Sequence, residues 1–328
     1  MELLEPQLNF SPSGVLSPSN WGLILAEGPD AGSFLQGQLT NDVLLLPAGQ
    51  SRFSGYCSAK GRLLASFIVL KLSSDKFLLV CHQNLIAATV KRLSMFVLRA
   101  KVKLTDASSE FQVLGYLGKA AADISPALVA AAPWHVSQQA ESYFIQLHPA
   151  KTATGKLARV LQISQNRTSD DTPLKTAPAP SISSQDWQLA EVLSGISMVE
   201  TGTSEAFVPQ MLNYESVEGV SFKKGCYPGQ EVVARSQFRG TLKRRAFVVS
   251  CSEPMQVGQE VFSVDDKEQA CGVVSSAAKF EPAGSHKAQW WGIASLQLTA
   301  LQNALHLGQA DGASMQAYAL PYPLLEDI

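Results

Sequence analysis

The chain has 328 residues, of which 46% are hydrophobic and 16% are charged, and its formal net charge is −2. This composition is typical of a globular protein with substantial apolar cores, and it excludes general disorder. The small net charge provides no global attraction to nucleic acid or to an anionic membrane, so we expect no direct nucleic-acid binding and no membrane partner.

Cysteine usage and the N-terminal residues predict the cellular compartment. The five cysteines have no CxxC spacing, and the residues after Met1 contain neither the basic nor the apolar segment of a signal peptide. Uninterrupted apolar runs are far shorter than the roughly 18 residues that span a bilayer. We therefore expect a cytoplasmic protein with reduced thiols.

The first half of the chain predicts an α+β fold. Residues 21–26 (WGLILA) have the pattern of a strand, and Pro29 and Asp30 suit the first turn of a helix that follows it. The strand-like runs FSGYCS, RLLASFIVLKL and KFLLVCH then precede a helical pattern formed by Ile86, Val90, Leu93 and Val97. Strands separated by single helices favour α+β layers of the split-βαβ (ferredoxin-like) kind over a doubly wound sheet.

The second half of the chain divides into a loop, a helix and a strand-rich end. Residues 164–184 are rich in Ser, Thr, Pro and Asp and predict an exposed loop. A helix should follow, with Leu189, Val192, Leu193 and Ile196 at helical spacing. Short strand-like runs from Lys243 onward predict a C-terminal β-barrel. We therefore divide the chain into an α+β region of two subdomains, residues 1–240, and a barrel domain, residues 241–328.

Cys226 has the surroundings that point most clearly to chemistry. It follows Lys223 and Lys224, lies between Gly225 and Gly229, and precedes a predicted helix start at GQEVVARSQ. Ammonium groups and the free N–H groups of a helix start both stabilise a thiolate. A lone cysteine is more often buried and structural. Glycines, proline and lysines are poor core residues, however, so we predict a reactive thiol at this position.

Four sequence blocks occur in an order that is found in one family. KGCYPGQEVVAR (residues 224–235) overlaps the block FVPQMLNYESVEGVSFKKGCY (207–227), and both follow FLQGQLTNDV (34–43) and GYCSAKGR (55–62). Together these blocks resemble the YgfZ family of bacterial folate-binding proteins, which are related to the glycine-cleavage T-protein. The resemblance covers about residues 21–240 and implies a T-protein-like body with a C-terminal β-barrel.

The resemblance also implies a function and a cofactor. It implies a folate-binding accessory protein whose partners are iron–sulfur enzymes, including enzymes that modify tRNA. The protein would help to maintain these enzymes. Tetrahydrofolate or another folate derivative would be held by Trp21 and Trp187. A tryptophan is usually a core residue, but an indole also offers a flat stacking face to a pterin. Both tryptophans lie beside polar residues at element boundaries, which suits the wall of a binding site.

The residues around Cys226 would shape the environment of its thiol. In the motif these are Lys224, Gly225, Tyr227, Gly229, Gln230, Glu231 and Arg235. The thiol could capture a one-carbon unit, ligate iron or trap an oxidised intermediate, and the sequence does not choose among these roles. Arg235, Arg239 and the basic run 243–245 offer cations for the carboxylates of a folate tail, although such a run also suits a solvated surface.

Two other functions remain open. T-proteins carry an acidic pair in the strand that corresponds to residues 62–66, where this chain has RLLAS and no carboxylate. A folate-dependent aminomethyltransferase would therefore lack its acid/base group. A tRNA-binding adaptor without folate would need a continuous basic face. The five histidines have no ligand spacing, so we expect no metal site, and we expect a monomer.

Overall fold

The computed structural model of the protein describes residues 3–166, 179–240, 242–282 and 287–325. Over these residues the chain forms two five-stranded sheets, a two-stranded sheet and a closed six-stranded barrel. In these four segments, no helix combines the length and the apolar character that crossing a bilayer requires.

Strands and short helices alternate up to residue 240. They are β1 (Gly14–Leu16), β2 (Trp21–Glu27), α1 (Ala31–Gln36), β3 (Ser51–Cys57), β4 (Leu63–Lys71), β5 (Lys76–His82), α2 (Ile86–Ser94), β6 (Lys103–Asp106), β7 (Phe111–Leu117), α3 (Lys119–Ile124), α4 (Pro126–Ala130), β8 (Val136–Gln139), β9 (Ser142–Gln146), β10 (Ala150–Thr152), β11 (Gly155–Leu157), β12 (Arg159–Gln165), α5 (Ser184–Leu193) and α6 (Gln230–Phe238). Short 3-10 helices cover Gln83–Leu85, Thr201–Thr203, Pro209–Leu212 and Tyr214–Val217.

The strands of this region pair into two antiparallel sheets. The first sheet has the order β3-β4-β5-β2-β6 and the second has the order β1-β7-β12-β9-β8. Strands β2, β4 and β5 are buried along nearly their whole length. They therefore appear in the sequence as continuous apolar runs and not as alternating patterns. Pairing of β2 with β5 places Trp21 opposite His82. The predicted α+β fold is confirmed.

The C-terminal part of the chain closes into a barrel. Its strands are β13 (Arg244–Cys251), β14 (Glu260–Ser263), β15 (Gly272–Phe280), β16 (Gln289–Gln297), β17 (Leu305–Leu307) and β18 (Ala313–Tyr318), and Leu298–Gln302 forms a 3-10 helix. The closed order is β13-β16-β15-β14-β17-β18. This confirms the predicted barrel. The sequence pattern did not reveal β17, because three residues are too few to show an alternation.

Buried polar contacts join the barrel to the preceding region. Arg245 in β13 forms an ion pair with Glu215, and both side chains are almost completely buried. Beside them, the Asn213 amide donates to the carbonyl of Ala246 at 2.9 Å and accepts from its N–H at 3.2 Å. Separating the partners of such a buried pair would leave an uncompensated charge in the interior. These contacts therefore hold the barrel against the preceding region.

Helix α5 connects the sheets to the barrel. It begins with a capping box, in which Ser183 Oγ accepts from the Asp186 N–H and the Asp186 carboxylate accepts from the Ser183 N–H. The helix packs against β10 on one side and against the barrel strands β15 and β16 on the other. It ends at Leu193, so Ile196 lies beyond the helix although it fits the helical spacing.

The segment between β12 and α5 is shorter at both ends than the loop predicted over residues 164–184. Strand β12 continues to Gln165, and α5 begins at Ser184. Before α5, the carbonyl of Pro180 accepts the N–H of Val15 at 2.9 Å, and Ser181 bridges the same strand, β1. The short edge strand β1 has free backbone groups that this segment can pair with. The middle of the predicted loop, residues 167–178, lies outside the described residues.

A close contact between β7 and α5 provides a test of this packing. A Cβ atom added to Gly115 would lie 2.6–2.8 Å from three ring carbons of Trp187. Gly115→Ala should therefore overpack the junction and lower the free energy of unfolding by about 1–3 kcal/mol. Urea unfolding followed by circular dichroism measures this change.

Gly37→Ala is the matched control for this substitution. Gly37 has a right-handed helical backbone with φ −79°, and the nearest atom to an added Cβ is 3.5 Å away. Gly37→Ala should change the free energy of unfolding by no more than about 0.5 kcal/mol. Equal losses in the two variants would contradict the proposed packing of Trp187.

Candidate functional site

A cavity of about 370 Å³ opens where the two five-stranded sheets, α5 and the barrel meet. Its volume lies within the range of roughly 300–1,000 Å³ that is usual for small-molecule sites. We call it the tryptophan cavity, and the lining residues that matter most here are Trp21, His82, Trp134, Arg159, Glu191 and Glu200. These side chains come from four regions of the chain, and the fold brings them together.

The structure brings the two predicted folate-binding tryptophans into contact. The ring centroids of Trp21 and Trp187 are 5.9 Å apart, with the rings at 77° to each other. Trp21 lines the cavity, whereas Trp187 is 1% exposed and lies behind it. An edge-to-face pair of this kind is favourable and holds both rings in place. Trp21, although 8% exposed, therefore offers an aromatic surface to the cavity, and Trp187 packs against it.

Trp134 is a third tryptophan at the cavity, which sequence reasoning did not single out. It stacks on Phe53 with ring centroids 4.9 Å apart. Its backbone has φ +69°, a left-handed conformation that is uncommon for a bulky residue. The Trp134 indole N–H donates to the Val217 carbonyl at 3.1 Å, and the Ser51 hydroxyl donates to the Trp134 carbonyl. A positive φ cannot be read from the sequence, so no signal marked this residue.

Arg159 and Glu191 form a largely buried charged pair in the cavity wall. Arg159 Nη2 and Glu191 Oε1 are 3.9 Å apart, and the side chains are 4% and 17% exposed. Burial raises the pKa of the Glu191 carboxyl to about 7, against the lowering effect of Arg159 and of nearby N–H groups on Trp187, Trp21 and Asn20. Burial lowers the pKa of Arg159 to about 10, so its guanidinium stays charged at neutral pH.

Two histidines and a second glutamate complete the titratable groups of the cavity. His82 Nε2 lies 3.8 Å from Glu200 Oε2. Burial raises the pKa of Glu200, and His82 opposes that effect. Burial and the charge of Arg159 lower the pKa of His148 to about 4, so its ring is neutral at physiological pH. The cavity wall therefore contains one carboxyl, that of Glu191, whose pKa lies near neutral pH, and a second, that of Glu200, whose pKa burial raises.

These acids do not come from the strand where sequence reasoning looked for them. Residues 62–66 contain no carboxylate, and Ser66 in β4 accepts the N–H of Val199 at 2.8 Å. Glu191 belongs to α5, and Glu200 follows the end of that helix. The strand itself therefore has no carboxylate, as the sequence shows, and the acids of the cavity come from the helix α5 and the segment after it. Sequence reasoning did not show these acids at the cavity, because they reach it only through the packing of α5.

The motif around Cys226 forms a separate loop, residues 223–229, which we call the cysteine loop. Lys224 is buried, and its ammonium donates to the carbonyls of Gln36 and Leu39 at the end of α1. Burial lowers the pKa of Lys224 to about 8, although Asp42 and Cys226 favour its charged form. A cation at the C-terminal end of a helix is stabilised by the helix dipole. Lys224 therefore anchors the loop.

Gly229 and Tyr227 fix the loop against the turn between β3 and β4. Gly229 has φ +80°, and an added Cβ would lie 2.4 Å from the Ser58 carbonyl oxygen and 2.5 Å from Gly61. Only glycine suits this conformation and this close approach. Tyr227 is buried, and burial raises the pKa of its hydroxyl. By contrast, Gly225 is exposed and has open space around it.

Cys226 is exposed, whereas Cys57, Cys81, Cys251 and Cys271 are buried. Burial raises the pKa of Cys57 and of Cys81 to about 12. The thiol predicted to be reactive is thus the accessible one. Gln230 begins α6, and Glu231 pairs with Arg235 on its surface at 2.9 Å. Both of these side chains are strongly exposed, so their pairing contributes little to stability.

The cysteine loop and the tryptophan cavity are distinct places. Among the described residues that line the cavity, none belongs to residues 223–239. Two of the basic residues proposed for a folate tail form ion pairs elsewhere. Arg235 pairs with Glu231, and Arg245 pairs with Glu215. No group of three His, Cys, Asp or Glu side chains within the described ranges could hold a metal ion.

Comparison with known proteins shows a related domain and a related fold. The GCVT N-terminal domain family matches residues 11–164. The glycine cleavage system aminomethyltransferase T from Bartonella henselae superposes with a TM-score of 0.63, covering 97% of this chain and 88% of that one. Their sequences are 16% identical, so this likeness establishes the shared fold alone.

Curated relatives are similar over most of the sequence. The chain is 32% identical over 235 residues to the tRNA-modifying protein YgfZ of Colwellia psychrerythraea (strain 34H), covering 71% of this chain and 70% of that protein. It is 31% identical over 231 residues to the tRNA-modifying protein YgfZ of Vibrio vulnificus (strain YJ016), covering 70% and 68%. The chain therefore belongs to the family of the tRNA-modifying protein YgfZ.

Proposed function

We propose that this protein binds tetrahydrofolate, or a related folate, in the tryptophan cavity and acts as an accessory protein of tRNA modification. The observation that carries the proposal is the cavity of about 370 Å³, walled by Trp21 and Trp134 and by a largely buried charged pair. A pterin is flat and has several polar ring atoms, so it matches aromatic walls with a few polar groups.

The names of the relatives support the second half of the proposal. Several of them are tRNA-modifying proteins, and an aminomethyltransferase shares the fold. We further propose that the protein maintains iron–sulfur enzymes that modify tRNA in the cytoplasm, and that it acts as a monomer. In this proposal the Cys226 thiol meets those partners, because it is exposed on a rigidly anchored loop.

A folate-dependent aminomethyltransferase is the second candidate function. One observation favours it, namely that Glu191, Glu200 and His82 line the same cavity. General acid–base groups typically contribute about 10²–10⁴-fold to a rate. We rank it second because residues 62–66, where T-proteins carry their acidic pair, have no carboxylate.

Folate binding is tested by titration with tetrahydrofolate, followed by quenching of tryptophan fluorescence. Trp21→Ala should weaken binding about three- to tenfold, because it removes an aromatic face from the cavity. Trp290→Ala, in the barrel strand β16, is the matched control and should leave the affinity unchanged. Thermal unfolding of both variants confirms that they fold. Saturable binding that is equally strong in the Trp21 variant would place the ligand elsewhere.

The exposed thiol is tested by alkylation near neutral pH and mass spectrometry. Cys226 should react first, because burial shields the other four cysteines and raises the pKa of Cys57 and Cys81. Cys226→Ala should change the free energy of unfolding by less than about 0.5 kcal/mol, yet fail to restore tRNA modification in cells that lack the protein. The nucleoside composition of their tRNA measures this. Full restoration would rule out a role for the thiol.

Binder and transferase are distinguished by incubation with an aminomethyl donor and tetrahydrofolate. We expect no multiple turnover, and chromatography should detect at most background methylene-tetrahydrofolate. Repeated turnover that is lost in Glu200→Gln would instead establish the transferase.

A further inference from the structure

The segment that contains the cysteine loop and α6 is strongly basic. Residues 222–245 include seven Lys and Arg residues and one carboxylate, although the whole chain has a net charge of −2. A local excess of one charge in a nearly neutral protein attracts partners of the opposite charge. The positive charge of this protein is therefore concentrated on one segment of the chain.

Helix α6 turns one side to solvent. Its exposed side chains, which we call the α6 face, are Glu231, Val232, Arg235, Phe238 and Arg239. They recur at intervals of three or four residues, so they share one side of the helix. Val233 and Gln237 are buried on the other side, where the Gln210 side chain donates to the Val233 carbonyl at 2.8 Å. The helix is thus fixed from behind, and its outer side is uncovered.

The start of α6 lies against the turn between β3 and β4. A Cβ atom added to Gly61 in that turn would be 2.8 Å from Val232 Cβ. The residue before Gly61 is the exposed Lys60. A cation from a distant part of the sequence therefore stands beside the α6 face.

The end of α6 returns to the residue that precedes the cysteine loop. The rings of Phe238 and Phe222 meet edge to face, with their centroids 5.1 Å apart, and the exposed Lys223 follows Phe222. The cysteine loop connects Phe222 to the start of the helix. The exposed thiol of Cys226, the two lysines and the α6 face therefore belong to one surface.

This surface has uncompensated charge and exposed apolar side chains. Within the described segments, Lys60, Lys223 and Arg239 form no ion pair. Phe238 is 50% exposed and Val232 is 39% exposed. Exposed apolar groups with a polar rim mark interaction sites, and protein interfaces are enriched in aromatic residues and arginine.

The composition of the surface favours a protein over a nucleic acid as its partner. The Glu231 carboxylate is 86% exposed on the α6 face and would repel the phosphates of an RNA backbone. A polyanion also gains little from an exposed valine. A protein whose surface has carboxylates around an apolar centre matches both the cations and the apolar side chains. Nine residues of helix span about 14 Å, which suits a small and transient interface.

We propose that the α6 face and the cysteine loop dock a client protein through an acidic surface with an apolar centre. This inference rests on the proposed function, since the client is an iron–sulfur enzyme that modifies tRNA. The cations Lys60, Lys223 and Arg239 attract and orient the acidic surface. Phe238 packs against its apolar centre, and the Cys226 thiol then faces the client.

The experiment uses the iron–sulfur enzyme that makes a nucleoside missing from the tRNA of cells without the protein. The purified enzyme is immobilised, and biolayer interferometry follows binding of the full chain at several salt concentrations. The unmodified protein should bind, and its association should slow as salt is raised. The double variant Lys60→Glu, Arg239→Glu should bind about ten- to a hundredfold more weakly, mainly through slower association. Phe238→Ala should bind about five- to thirtyfold more weakly.

The loop after α2 supplies matched controls. The double variant Arg99→Glu, Lys101→Glu makes the same change of charge at two exposed positions, and Phe96→Ala truncates a phenylalanine that is 45% exposed. Both controls should keep the affinity for the enzyme. Thermal unfolding shows whether each variant folds. If the double Glu variant of the docking surface does not fold, Lys60→Gln with Arg239→Gln replaces it, and Arg99→Gln with Lys101→Gln is then its control.

The outcomes separate this inference from the proposed function. If cells without the protein lose no tRNA nucleoside, the proposed function is wrong and the inference falls with it. If a nucleoside is lost but its enzyme does not bind the protein, or binds the surface variants and the controls equally well, the proposed function stands and the docking surface is overturned. Binding of an unmodified tRNA transcript that disappears in the surface variants, while enzyme binding is kept, would assign the surface to RNA and also overturn the inference.

Discussion

The contact of Trp187 with Gly115 is the constraint on which the cavity depends. The indole occupies the space that a side chain at position 115 would need, and the Arg159 guanidinium lies over the ring. Because Trp187 is held in this way, α5 has one position between the sheets and the barrel. That position presents Glu191 to the cavity and supports Trp21. One buried side chain, Trp187, therefore positions both the aromatic and the charged parts of the cavity wall.

The separation of the cysteine loop from the cavity bears on how the protein could act. Lys224 and Gly229 attach the loop to α1 and to the turn after β3, so its position does not depend on the cavity wall. The exposed thiol can meet a macromolecule while a small molecule occupies the cavity. In the proposed function, the cofactor and the client would then use different surfaces.

Sequence reasoning predicted most of the fold, because the strands β2, β3, β4 and β5 are local apolar runs bounded by clear turns. It also singled out Trp21, which lines the cavity, Trp187, which packs against Trp21, and Cys226, which is exposed, and their functional roles stay predictions. It could not identify Trp134, Arg159, Glu191 and Glu200 as neighbours, because they become close only through tertiary packing of separate elements. A glutamate within an amphipathic helix looks like an ordinary surface residue until the barrel covers that face. The same limit explains why the sequence did not show that Glu191 and Glu200 line one cavity.

The barrel contributes Ser276 and Ala277 of β15 to a cavity whose other walls belong to the sheets and α5. A ligand that touches all of these walls binds only when the barrel has docked. Its binding free energy then adds to the Arg245–Glu215 contact in holding the two parts together. Saturation with the ligand thus reports complete assembly of the chain, and a partly folded molecule cannot retain it. In the cell, such coupling would mean that only protein with a docked barrel carries the ligand.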